Sequence, residues 1–551
     1  MLNLVTFISR GMALPYFLRS LVPKKERRSH ARPLMVAVRE ITPVQWALLF
    51  SGWLAWTCDN LDFFSASLSV THLQEQFGQS THAITTSITL TLLFRPAGAL
   101  VFGILSDRFG RKWPLIGNLV LVAILELGAG FVQTFPQFLA LRSLFGVGMG
   151  GIWGLAAATA LENLPVEVRG IAGGILQAGD AVGYLIAAVL NLSLVPEVKA
   201  SWRALFWTAS AVSLFAAAVR LTLPESEVFL RAKALEREKG IHRTTREKTA
   251  VFVHETSAML KKHWLLGIYA VLLMAGGYFS LDILTRFLVP CIPFAQCVLF
   301  LAWYYGFGFL AHGSADLYPT YLIASKGLSS HDATVATIMG NCGGVVGGAF
   351  AGWISQYTGR RLTIVIHVLL AGAFIPLWIL PTGFSALAAG AFCLQFGLQG
   401  ALGVIPIHLA EISPPAFRAT FPGVAYQVGN MISSASAQIE ATGGDNLKTT
   451  IIENGKRVVV PDYAKVQGIL IGVVAAFIVI MTIIGPENHG AHFEKNKTAF
   501  EEGAAEESVI IDDDEDAVTD RSGDAGVSGK NRGSVSDLED EKAEVMQMEK
   551  V

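Results

Sequence analysis

The sequence predicts an all-α membrane protein with twelve transmembrane helices in two pseudo-symmetric six-helix bundles. Its composition, the spacing of its apolar runs and an internal repeat carry that reading. Of 551 residues, 52% are hydrophobic and 16% charged, and the mean hydropathy is +0.48, well outside the range of a soluble domain. A helix crosses a bilayer with about 20 mainly apolar residues, and runs of that length recur along the chain.

In the first half the runs fall at 46–70, 83–105, 113–133, 137–160, 170–191 and 204–223. In the second they fall at 264–281, 287–310, 330–354, 362–381, 384–406, 420–438 and 467–485. The segment 224–263 between them is too charged to span. The expected organisation is an N-terminal segment (1–44), a first bundle (45–223), a central loop (224–263), a second bundle (264–486) and an acidic tail (487–551).

The runs number thirteen, and an odd count sets the basic loops of the two halves on opposite sides of the membrane. Short loops rich in Lys and Arg stay on the cytosolic side, so one run is surplus. Removing residues 277–305 joins "IYAVLLMAG" to "GFGFLAHGSADLYPT" as one span and restores twelve. We read 277–305 as translated intron sequence, the alternative being a re-entrant hairpin.

The net charge of −2 conceals two opposite parts. From Glu487 onward there are 19 acidic and 7 basic residues, while the remainder is net positive. The tail has too little apolar content to build a core and reads as a disordered cytosolic extension, a possible platform for regulatory or trafficking proteins. Cys58, Cys291, Cys297, Cys342 and Cys393 lie in apolar segments without metal-ligand spacing, so neither a metal nor a disulfide framework is expected. No nucleotide-binding loop or nucleophile motif is present, which argues against an enzyme. No cofactor is expected, nor any nucleic-acid partner.

The repeat links the halves. "GILSDRFGRK" (103–112) and "GWISQYTGRR" (352–361) share the spacing from glycine to glycine, Gly103 to Gly110 and Gly352 to Gly359, each followed by two cations. "ENLPVEVR" (Glu162 to Arg169) likewise parallels "EISPPAFR" (Glu411 to Arg418). Duplicated halves are a mark of secondary transporters. Asp107, Arg108, Arg111, Glu162, Arg169, Glu411 and Arg418 are the expected cytosolic latch, helix-end acids facing loop cations. The first copy resembles the major facilitator superfamily, whose first cytosolic loop reads G-x-x-x-D-R-x-G-R-[RK]. The second departs from it, with Gln356 and Tyr357 in place of the acid and the arginine.

Ionisable side chains inside spans are costly and mark function by default. Asp59 and Asp62 share a face of the first span, and Arg95 lies near the middle of the second. Arg95 can hold a substrate carboxylate bidentately or pair internally with Asp59 or Asp62. Asp180 in the fifth span is a candidate proton carrier, whereas Glu126 serves either that role or a helix–helix hydrogen bond. His367 and His408 read as structural. The glycines of 142–154 read as close helix packing.

His312 and Asp316 stand at i and i+4 on one helix face, with Ser314 and Thr320 nearby. A histidine titrates near neutral pH, so the pair suits coupled binding of proton and substrate. It also suits a purely structural role.

"HGSADLYPT", with "DNLDFF", "DRFGRKWP" and "GPENHGAHFE", resembles the fungal lactate/pyruvate–proton symporters, a monocarboxylate branch of the sialate–proton symporter family. Their motif is N-x-x-[ST]-H-x-[ST]-Q-D-x-x-x-T. His312, Ser314, Asp316 and Thr320 match it, but Gly308, Ala311 and Ala315 replace the Asn, Ser/Thr and Gln. These three form one helical stripe stripped of hydrogen-bonding groups, which implies a substrate bulkier or more apolar than lactate, or a loss of transport.

The resemblance implies a proton-coupled monocarboxylate symporter of the plasma membrane with both termini cytosolic. Arg95, His312, Ser314, Asp316 and Thr320 would bind substrate, and Asp316, His312, Asp59, Asp62 and Asp180 would handle protons. Alternatives are a carrier for another acidic solute, a non-transporting nutrient sensor and an internal or mitochondrial membrane.

Overall fold

The structure is a computed structural model. It describes residues 33–227, 245–275, 307–413, 420–453 and 456–488, with isolated positions at 21, 229–230 and 234. Residues 277–305, Arg418, the tail beyond 488 and most of residues 1–32 lie outside the described residues.

A short helix α1 (Leu34–Arg39) leads into α2 (Pro43–Leu68). Thr42 and Gln45 form a capping box on α2, and Pro43 occupies its first turn, where a missing N–H is harmless. After α3 (Val70–Phe77) come α4 (Thr81–Phe109), α5 (Lys112–Ala129), α6 (Phe135–Leu161), α7 (Arg169–Ser193) and α8 (Arg203–Thr222). These complete the first bundle.

The second half opens with α9 (Thr245–Ala275), which begins inside the expected central loop and kinks at His263, where the charged sequence gives way to the apolar run. α10 (Phe307–Ala315) and α11 (Tyr318–Ala324) follow. Both α9 and α10 pack on the same two helices near the chain's end and on each other. Then come α12 (Ser330–Thr358), α13 (Arg360–Ile379), α14 (Phe384–Gly403), α15 (Ile405–Ile412), α16 (Thr420–Ser433), α17 (Ser436–Asn446) and α18 (Tyr463–Ile484).

The twelve-helix expectation holds as a fold, and nine of the described helices are long and apolar enough to cross a bilayer. An antiparallel hairpin, β1 (Lys448–Glu453) and β2 (Lys456–Pro461), joins α17 to α18 and was not foreseen. Residues 454–455 between the strands lie outside the described residues.

The span expected to run through 306–320 is broken at Asp316–Leu317. Pro319 is the cause: its ring clashes with the carbonyl four residues back, and it has no N–H to donate there.

Small residues set the helix spacing. Gly146 and Gly150 of α6 lie directly against the Thr91 and Arg95 backbone of α4, as the glycine series predicts. Between the halves, Gly174 of α7 lies against Gly348 and Gly352 of α12. The two halves meet along α7 with α12 and along α4 with α16.

Candidate functional site

At one end of the bundle, the basic end, the repeat becomes two matching networks. In the first, Arg111 bonds Asp107 at 3.2 Å and Glu162 at 2.8 Å, and donates to the Ser106 carbonyl. In the second, Arg360 bonds Glu411 at 2.9 Å, the Ser355 hydroxyl at 2.7 Å and the Gln356 amide oxygen at 3.2 Å. Asp107, Arg111 and Glu162 thus correspond to Gln356, Arg360 and Glu411. Gly110 and Gly359 close the preceding helices with φ of 93° and 86°, a conformation that favours glycine.

Each network also reaches across to the other half. Asp107 accepts from the Thr420 hydroxyl, and Gln356 donates to the Val166 carbonyl at 3.4 Å. Gln356 keeps the acceptor that the acid would have supplied.

Two acids missed in the sequence complete the pattern. Glu225 accepts the backbone N–H groups of Arg111 and Lys112 at 2.8 and 3.0 Å, and Glu487 those of Arg360 and Arg361 at 2.5 and 3.4 Å. A carboxylate at a helix N-terminus satisfies orphan donors and opposes the helix dipole. Burial raises the Glu487 carboxyl above its ordinary range, and the Arg360 N–H partly offsets this. The available signal was a Pro-Glu pair after the last span of each half, Pro224-Glu225 and Pro486-Glu487.

Arg108 and Arg169, also expected in the latch, make further contacts. Arg108 lies over the Phe109 ring at 5.0 Å, and buried Arg169 donates to the Leu164 carbonyl at 2.8 Å. Arg360, absent from the expected set, is the second half's central cation.

A cavity lies between the halves. Arg95, Asp180, His312 and Ser314 line it, together with Asn60, Gln395, Gln399 and Asn430. Trp56, Phe64, Tyr184, Trp378 and Tyr426 give it aromatic walls. Gly308, Ala311 and Ala315 all line it, so the stripe stripped of polar groups does face the cavity.

Contacts between the halves flank the cavity on both sides. Toward the basic end Tyr426 stacks on Trp153, with ring centroids 4.1 Å apart. Toward the hairpin end Thr89 donates to the Ser434 carbonyl at 3.0 Å, and Gln438 donates to Thr85 at 2.9 Å.

Arg95 is buried, donates to the Met149 sulfur at 2.6 Å and lies over the Phe63 ring at 5.0 Å. Its Nε has no hydrogen-bond partner, and no carboxylate among the described residues forms an ion pair with it. The expected alternative, a pair with Asp59 or Asp62, does not form. Those two acids do not line the cavity: they sit in the first bundle's core, where Asp62 accepts from Ser213 at 3.0 Å. Nearby, Glu126 pairs with Arg142 at 3.1 Å, the helix-bridging reading of that acid.

His312 Nδ1 lies 3.1 Å from Asp316 Oδ1, and Phe63 meets the imidazole edge-on at 5.5 Å. Asp316 is fully buried and absent from the lining, so it stands behind the histidine. Ser314 accepts from Gln395 at 3.2 Å, and Asp180 accepts from Gln399 at 2.7 Å. Thr320 lies on α11 and does not line the cavity, because the break at Leu317 redirects the chain before it. His367 bonds the Thr363 carbonyl at 2.9 Å, and His408 faces the Tyr269 hydroxyl at 3.4 Å.

Two duplicated helical bundles enclosing one polar-lined cavity are the architecture of a secondary membrane carrier. The chain belongs to the Major Facilitator Superfamily, whose sequence model matches residues 48–437. It is 33% identical over 459 residues to a carboxylic acid transporter protein homolog of Saccharomyces cerevisiae, spanning 82% of this chain and 69% of that one. It is 25% identical to the cis,cis-muconate transport protein of Acinetobacter baylyi, over 72% of this chain and 88% of that one. Among solved structures, the partially occluded inward-open xylose transporter XylE from E. coli aligns with a TM-score of 0.57 at 16% identity. That alignment covers 82% of this chain and 100% of the other, a likeness of fold alone.

Proposed function

We propose that the protein is a proton-coupled carrier of monocarboxylates that works by alternating access. The observation that carries the reading is that Arg95, without a carboxylate partner, shares one cavity with His312, which is backed by Asp316. A guanidinium in dry surroundings holds a carboxylate strongly, and an imidazole hydrogen-bonded to a carboxyl can take up and release a proton. Bound substrate would neutralise Arg95 while a proton neutralises the His312–Asp316 pair, so in the loaded cavity each charge is compensated at its own place while the net charge stays the same when the halves rock. The similarity to carboxylic acid and muconate transporters supports the substrate class.

The stripe of Gly308, Ala311 and Ala315 favours a bulkier or more apolar acid than lactate. A site without hydroxyl partners gains little from a substrate hydroxyl and does not reject a substrate lacking one. The basic end, with Arg111, Lys112, Arg360 and Arg361, belongs in the cytosol by the positive-inside rule. On this reading both termini are cytosolic and the membrane is the plasma membrane. α9 and α10–α11 then serve as one span, with 277–305 surplus to it.

The test is uptake of labelled lactate and of an aromatic monocarboxylate in cells lacking their own carrier, at external pH of about 5 and about 7. It is run with the chain as given and with a version lacking 277–305. Acid-stimulated uptake of either acid supports the reading, and preference for the aromatic one supports the stripe. Surface-expressed protein that moves neither acid contradicts it and directs the search to larger acids or to a signalling role.

A further inference from the structure

Behind the His312–Asp316 pair, away from the cavity, lies a second carboxyl that the proposed transport cycle does not use. Glu440 of α17 is fully buried, and its Oε2 accepts from the Gln467 side chain of α18 at 2.7 Å. Its Oε1 has no hydrogen-bond partner, and neither has Asp316 Oδ2. Glu440 Oε1 points at α10, 3.6 Å from where a Cβ on Gly313 would sit, and Asp316 follows Gly313 by three residues, immediately after the helix ends. Two buried carboxyls therefore lie at the end of α10, each with one oxygen that has no hydrogen-bond partner.

Asp316 is the charged neighbour that acts on Glu440, and His312 lies beyond it on the same helix. α18 contributes the uncharged Gln467, the buried Tyr463, the exposed Lys465 and Asp462 at its start. α4 brings Thr85 and an exposed His82, and β2 an exposed Arg457. Among the described residues no cation forms an ion pair with Glu440, and His312 is the one that pairs with Asp316, so a proton is the species that fits between the two acids.

We propose that Glu440 is the carboxyl that loads the His312–Asp316 pair with its proton, taking it from the hairpin end and passing it to Asp316. One proton moves: the Glu440 O–H bond breaks as an Asp316 O–H bond forms, and water at the hairpin end re-protonates Glu440. Gln467 donates to Oε2 and leaves Oε1 to carry the proton. Glu440 is thus a proton-handling residue that does not touch the substrate, and the inference rests on the proton-coupled reading above.

The experiment compares initial uptake of the transported acid at external pH of about 5 and about 7 for the unaltered chain, Glu440→Gln and Glu440→Asp, with surface abundance measured in parallel. Glu440→Gln is expected to lose most of the acid stimulation of the unaltered chain, while Glu440→Asp, which keeps a carboxyl, retains more of it. Glu440→Gln with the full stimulation overturns the proposal. So does equal loss at both pH values, which marks a structural role. If Glu440→Gln fails to reach the surface, Gln467→Met removes the donor and keeps the acid: a shifted pH midpoint supports the proposal and an unmoved one overturns it. An unaltered chain that moves acid without pH dependence refutes the proton-coupled reading itself, and this inference with it.

Discussion

The Tyr184 hydroxyl donates to the Ala315 carbonyl at 3.1 Å, joining the two halves beside the cavity. Pro319 makes this bond available: it denies that carbonyl the helical N–H it would otherwise accept. Tyr184 is held for the task by stacking on Phe64, with centroids 3.9 Å apart. Any opening between α7 and α10 must break the bond. Tyr184→Phe keeps the stack and removes the donor, a loss of about 1 kcal/mol. With native cysteines replaced, a cysteine placed at Ala311 should then react about fivefold faster with a membrane-impermeant thiol reagent, and an unchanged rate counts against the gate.

Arg95 is expected to be irreplaceable. Lysine keeps the charge but loses the fork that matches a carboxylate, and glutamine loses both. Arg95→Gln should abolish saturable uptake, and Arg95→Lys should raise KM by about tenfold or more. Near-normal kinetics in Arg95→Lys, measured by competition with unlabelled acid, would place the carboxylate elsewhere.

The cavity stripe yields a conditional prediction. Ala311→Ser and Ala315→Gln restore hydrogen-bonding groups at lining positions and should shift preference toward lactate. Gly308→Asn should add little on its own, because a Cβ at Gly308 meets Ser433 Oγ at 2.6 Å. Its benefit should emerge only with Ser433→Ala, as read from the ratio of lactate to aromatic-acid uptake across the series.

The matching caps at the basic end should behave alike. Glu225→Gln and Glu487→Gln each remove a carboxylate from a helix N-terminus, a loss of about 1 kcal/mol, and each should lower the thermal midpoint of the purified protein by about 1 °C. They share no partner, so the double variant should show the sum. A strongly non-additive result would mean that the two networks are coupled through the contacts of Asp107 with Thr420 and Gln356 with Val166.

Much of the architecture was legible because a bilayer leaves little choice. Apolar length, basic loops and a repeated glycine spacing fix the helix number and the pairing of the halves. The His312–Asp316 pair and the cavity-facing stripe were visible for the same reason, since helical periodicity fixes which residues share a face. Depth within a bundle was not visible. Asp59 and Asp62 read like cavity acids, yet they point into the first bundle's core because α2 is buried on several sides. Glu225, Glu487 and Glu440 escaped notice because their partners are backbone amides or side chains from distant helices. Arg108 and Arg111 were both expected in the latch from the motif, and motif position does not show that Arg111 is the cation bridging Asp107 and Glu162. The hairpin was not legible, because two six-residue strands leave a far weaker pattern than helices that span a bilayer.

The decisive measurement is substrate-driven proton movement by purified protein in sealed liposomes carrying an internal pH dye. With the bulk pH equal on both sides and permeant free acid controlled by protein-free vesicles, adding the monocarboxylate outside should acidify the lumen as the acid enters. That acidification should vanish in Arg95→Gln and Asp316→Asn. Saturable entry of the acid without proton movement, or proton movement indifferent to both substitutions, would contradict coupled transport through this cavity.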